Sequence, residues 1–144
     1  LNMKRQIFFV SLGGFDTHDH QLYKHPLLLS QLDAGLHALT QALEAMGLTD
    51  KVTIFTASEF GRSLVSNGDG TDHGWGGHHF VVGDALLPGL HGQLPDLALD
   101  SPDDVGGGRI IPSTPVELYF SDILRWFGLT MEEMAGLFPT LYQY

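Results

Sequence analysis

Residues 6–12, QIFFVSL, form a short continuous apolar run with β-branched and aromatic members, ended by Gly13 and Gly14. Such a run reads as a strand buried on both faces, in a parallel or mixed sheet. From about Pro26 to Met46 the period changes. Leu32, Leu36, Leu39, Leu43 and Met46 recur at three- and four-residue steps, while Gln31, Gln41 and Glu44 occupy other faces. This spacing predicts an amphipathic helix, with Gly47 as its C-cap. The next apolar run, KVTIFTASEF (51–60), predicts a strand with Val52, Ile54 and Phe55 as its core. Strand, helix and strand with short connections predict a βαβ unit, hence a parallel pair with a right-handed crossover.

Further along, residues 61–78 are rich in Gly, Asn and Asp and read as a loop, and HHFVVGDAL (78–86) holds a third strand. The stretch from Pro88 to about Pro115, which includes DDVGGG, reads as a long excursion over the surface with a flexible loop around 101–108. PVELYFSDILRWFG (115–128) predicts a helix with Pro in its first turn and Gly at its end. Thr130 is placed to cap a last short helix through MEEMAGLF, with Glu132 or Glu133 in its first turn. No internal repeat is visible. The fold class these elements predict is α/β, a mostly parallel sheet with flanking helices in a single domain over residues 1–144.

Composition narrows the function classes. The 144 residues carry 7 basic against 17 acidic side chains, a formal charge of −10, which argues against nucleic acid or an anionic membrane surface as partner. No apolar run approaches the length of a membrane span, and Lys4 and Arg5 precede only a strand-like run, not a signal peptide. A chain that opens inside a core strand is expected to be cut from something longer. Cysteine is absent, so a metal site here draws on imidazole and carboxylate, and eight histidines supply the former.

In an open α/β sheet, ligands gather at the carboxyl ends of the strands. The first predicted strand ends in Asp16, His18, Asp19 and His20, and the second in Ser58, Glu59 and Arg62. If the two run parallel, both clusters lie on one edge. A third loop, GTDHGWGGHH, adds Asp72, His73, His78 and His79. This mixture of carboxylate oxygen and imidazole nitrogen suits hard or borderline divalent ions. Asp16 with His20 (DxxxH) and Asp16 with His18 (DxH) are both able to ligate one ion from a turn, and the spacing does not choose between them. His25 and His37 are assigned to the first helix and its entry, and Trp75 and Trp126 to packing. Ser58 with Asp72 and His73 offers a metal-free hydrolase arrangement, but without a GxSxG elbow.

Five ordered blocks, GGFDTH, TASEFGR, NGDGTDHGWGG, RIIPSTP and LRWFG…LFPTL, resemble the DUF1501 family, bacterial proteins related to the alkaline phosphatase and sulfatase superfamily. The resemblance covers nearly the whole chain and corresponds to the C-terminal portion of longer members, so a missing N-terminal portion or a homo-oligomer stays open. It implies a helix-sandwiched α/β sheet and a metal-dependent site acting on phosphate or sulfate esters. Superfamily members hold two divalent ions with Asp and His. Carried onto this chain, Asp16 with His18 or His20 would hold one ion, with His73 and Asp72 from the later loop. Glu59 falls where relatives place an Asp-His pair that this chain lacks, and would ligate a second ion or act as general base. Arg62 would balance charge on a small anionic ester substrate. The implied cofactor is a divalent ion such as zinc, manganese or calcium, and an exported or periplasmic location is suggested by the resemblance alone. The alternative function is a metal- or partner-binding domain without turnover.

Overall fold

The computed structural model describes residues 4–141, which separate into two compact units. Residues up to Val10 together with those from Ser113 onward form one, and Ser11–Pro112 form the other.

The larger unit begins with an irregular turn and then α1, Gln21–Met46. This helix starts five positions before Pro26, where the apolar spacing placed its beginning. His20 takes the left-handed conformation at the N-cap (φ 51°), and the Gln21 N–H donates to the Asp69 carbonyl at 3.0 Å. A tertiary bond to another loop thus starts the helix, and Pro26 is accommodated inside it. Gly47 ends it as expected, in the left-handed region (φ 65°), with its N–H on the Glu44 and Leu43 carbonyls.

The strands overturn the predicted sheet. Among the described residues there is no parallel pair. β1 (Ile54–Phe55) pairs antiparallel with β4 (Val81–Val82), in the register Ile54↔Val82 and Phe55↔Val81. Between them, β2 (Gly61–Ser66) and β3 (Thr71–Gly74) form a second antiparallel pair. The physical reason lies in the connection. A parallel pair needs a crossover, whereas a hairpin between β1 and β4 simply returns the chain beside its starting strand in the opposite direction. The βαβ unit is also absent, because residues 6–12 form no strand. Ile7, Phe8, Phe9 and Val10 face outward, from 73% exposed at Ile7 to 91% at Phe9, and Leu12 is 41% exposed. An apolar run marks residues suited to burial, and it does not supply the neighbouring strands that would bury them.

The β2–β3 hairpin was hidden by its composition. Residues 61–78 read as loop because Gly, Asn and Asp dominate, yet NGDG between short runs is a hairpin turn signal. The Asn67 N–H donates to the Gly70 carbonyl at 3.0 Å, and the Gly70 N–H to Asn67 Oδ1 at 2.9 Å, closing the turn. The excursion from Pro88 contains no helix, and its one β-bridge joins Asp104 to Ile110. Asp104 organises it by accepting backbone N–H groups from Asp100, Gly106 and Gly108. These bonds hold its carboxyl below the ordinary carboxylate value, the Asp100 bond most of all.

In the smaller unit, α2 (Val116–Phe127) and α3 (Met131–Leu137) match the predicted helices closely. Gly128 caps α2 in the left-handed region, and the Arg5 guanidinium lies 5.9 Å from the Phe127 ring centre. Thr130 and Glu133 form a capping box: the Glu133 N–H donates to Thr130 Oγ1, and Glu133 Oε2 accepts the Thr130 N–H at 2.7 Å. The cap fixes α3 with Met134 fully buried. Thr130→Ala is expected to destabilise this unit by about 1 kcal/mol in chemical denaturation; an unchanged midpoint would show that α3 does not depend on its cap.

Candidate metal centre

Alternation along β2 places Phe60, immediately before the strand, and Arg62 on one face, and the register sets Arg62 directly opposite His73 on β3. The turn after Gly14 then crosses this face. Thr17 is buried, and Gly70 lies so close beneath that a Cβ there would fall 2.5 Å from the Thr17 carbonyl oxygen. Only glycine permits that approach. Asn67 Nδ2 donates to the His18 carbonyl at 3.1 Å and Gln21 Nε2 to Thr71 Oγ1 at 3.1 Å, stitching the turn to the hairpin from either side.

Arg62 makes the central tie. Its Nη1 donates to the Thr71 carbonyl at 2.6 Å, and its Nη2 to the Phe15 carbonyl at 2.6 Å and to Asp16 Oδ1 at 3.1 Å. Asp16 Oδ1 also meets His73 Nε2 at 2.7 Å and His18 Nδ1 at 2.9 Å. The His73 hydrogen bond is the chief influence holding the Asp16 carboxyl below its ordinary pKa, helped by the nearby His18 and Arg62. The His18 and His73 rings lie 4.9 Å apart, and Phe60 stacks on His73 at 3.9 Å with 4° between the planes.

Asp16, His18 and His73 each offer one ligand atom, all within 4.8 Å of one another. A carboxylate with two imidazoles is a donor set suited to zinc, manganese or ferrous iron, and three protein ligands leave positions open for water or substrate. The three side chains are exposed, so the coordination face opens to solvent.

The structure thus gathers the DxH pair and not the DxxxH pair. His20 lies outside the cluster, turned toward Asp19 and Asp69 at 3.4 and 3.6 Å. Asp72 neighbours His73 on β3, where successive side chains face opposite ways, and it accepts from Asn67 Nδ2 at 3.3 Å. Glu59 is exposed, one residue before the Phe60 that stacks on His73. Ser58 donates to the Phe60 carbonyl, so its hydroxyl serves the local turn. The guanidinium of Arg62 is occupied by two carbonyls and Asp16. Sequence reasoning passed over Phe60, Asn67 and Gly70. The i,i+2 spacing of Phe60 and Arg62 was the available signal, visible only once 61–66 is read as a strand.

Among the described residues, short antiparallel sheets, three helices and a solvent-open carboxylate–imidazole cluster define an α-and-β chain with a candidate divalent-cation centre. The chain belongs to the DUF1501 family, described as a protein of unknown function, whose sequence profile matches residues 2–118. No curated protein and no solved structure matches it.

Two outcomes follow from this geometry. Arg62→Lys, which removes the forked donor, is expected to destabilise the larger unit by about 1–3 kcal/mol in urea denaturation; an unchanged stability would contradict the tie. A carboxylate whose pKa is lowered on folding stabilises the native state above its ordinary value, here 3.8, and loses that contribution as pH falls through the lower native value. Asp16→Asn should therefore flatten part of the acid-side fall in stability as pH drops through and below 3.8. Parallel wild-type and variant profiles would contradict this assignment.

Proposed function

We propose that this chain is a metal-dependent hydrolase of small anionic esters, of the phosphate or sulfate class, with its ion held by Asp16, His18 and His73. The observation that carries the reading is the convergence of one carboxylate and two imidazoles, drawn from distant segments, within 4.8 Å. The resemblance to proteins related to alkaline phosphatases and sulfatases supports the choice of ester class. A bound divalent ion supplies Lewis acidity toward a phosphoryl or sulfuryl oxygen and lowers the pKa of a coordinated water. Asp16 contributes an oxygen that Arg62 helps keep ionised, and His18 Nδ1 and His73 Nε2 contribute nitrogens. Glu59, exposed and next in sequence to the Phe60 that stacks on His73, is assigned the role of general base. Arg62 acts on Asp16 and the turn rather than on substrate. Asp72 and His20 remain outside the ligand set.

A second reading, metal binding without turnover, is favoured by the setting of the centre. Two hollows of the larger unit lie elsewhere, one of about 220 Å³ between Thr40, Glu44 and Asp84 and the other beside Leu27 and Leu28, and neither is lined by Asp16, His18 or His73. Elemental analysis of the purified chain separates the readings when joined to an assay on aryl phosphate and aryl sulfate. The expected result is one divalent ion per chain, lost in Asp16→Ala/His73→Ala, with hydrolysis abolished by chelator and reduced about a hundredfold or more by Glu59→Gln. Bound metal without hydrolysis establishes the second reading. Absence of metal after incubation with zinc or manganese overturns both.

A further inference from the structure

We propose that Phe60 is a positioning residue for the metal centre, fixing the imidazole plane of His73 so that Nε2 faces the ion; this role rests on the metal reading above. His73 stands on a two-stranded hairpin with its side chain about half exposed, a setting that leaves an imidazole free to turn about its last torsion. Two features restrict it. Nε2 is bonded to Asp16 at 2.7 Å, which fixes one point of the ring. The Phe60 ring lies 3.9 Å away and within 4° of parallel, which fixes the plane.

Phe60 is itself held. The Arg62 guanidinium carbon lies 5.1 Å from its ring centre, within cation–π range, and the same guanidinium is tied to Phe15, Asp16 and Thr71. The backbone reinforces the placement. Ser58 Oγ donates to the Phe60 carbonyl, and Gly61 is packed against Gly76 with no room for a side chain. Arg62 therefore orients both partners of the centre at once: Asp16 by hydrogen bond, and His73 through Phe60. Orientation of a ligating imidazole by groups that do not touch the metal governs affinity, commonly by about ten- to a hundredfold. Leucine at position 60 would keep apolar bulk and lose the flat face, and tyrosine would keep both.

Zinc titration of the whole chain by calorimetry, for wild type, Phe60→Leu and Phe60→Tyr, tests the role, together with NMR of the histidine ring protons in the zinc-free protein. Phe60→Leu is expected to weaken zinc binding about ten- to a hundredfold, with Phe60→Tyr restoring it. In wild type and Phe60→Tyr the His73 ring protons should be shifted upfield by the stacked ring and show cross-relaxation to the ring at position 60, and in Phe60→Leu the shift should vanish. Wild-type zinc binding that Phe60→Leu leaves unchanged overturns this role and spares the metal centre. A wild-type chain that binds no zinc overturns the centre and the role with it. Absence of ring-to-ring cross-relaxation in wild type overturns the role even if Phe60→Leu fails to fold.

Discussion

The larger unit depends on one guanidinium. Arg62 reaches from β2 to the Phe15 carbonyl in the turn and to the Thr71 carbonyl on β3, and also donates to Asp16. Hydrogen bonds from a charged donor contribute about 1.5–3 kcal/mol each when shielded, and the Arg62 side chain is only 20% exposed. The bond to Asp16 is weaker in this respect, because that carboxylate is 60% exposed and open to screening. The carbonyl bonds therefore hold the turn in place, and Asp16 is carried along to the position where His18 and His73 meet it. Gly70 makes the arrangement possible from below by leaving space for residues 17 and 18.

Local rules proved legible in the sequence wherever one segment decides its own structure. Gly47 and Gly128 end their helices in the left-handed region, and Thr130 begins α3, with Glu133 closing the capping box. Pairing was not legible. Residues 6–12, expected to run parallel to 51–60, have the composition of a central strand and form none, and 54–55 pair antiparallel with 81–82. Strand direction is a property of two segments and their connection, and periodicity reports on one segment at a time.

The candidate centre divides along the same line. That the turn after Gly14 and the TDHG segment carry ligand-type residues was readable from their chemistry. Which histidine of the turn faces inward was not, because the choice depends on where Arg62 and Asn67 anchor it. His18 is brought to Asp16, while His20 is committed to the left-handed start of α1. Arg62 was marked by its charge, but its role followed only from the two carbonyls it reaches. A parallel sheet was the original ground for placing the clusters together. Of these residues, Asp16, His18, Arg62 and His73 meet, through an antiparallel hairpin and a clamped turn.

The proposed centre has two imidazoles and one carboxylate sharing an ion, and X-ray absorption spectroscopy of the zinc-loaded chain measures that set directly. The predicted first shell holds two histidine nitrogens at about 2.0–2.1 Å with carboxylate and solvent oxygens completing it, and one of those nitrogens is lost in His18→Ala but none in His20→Ala. A shell of oxygen alone, or one that loses a nitrogen in His20→Ala and keeps both in His18→Ala, would contradict the arrangement of Asp16, His18 and His73 described above.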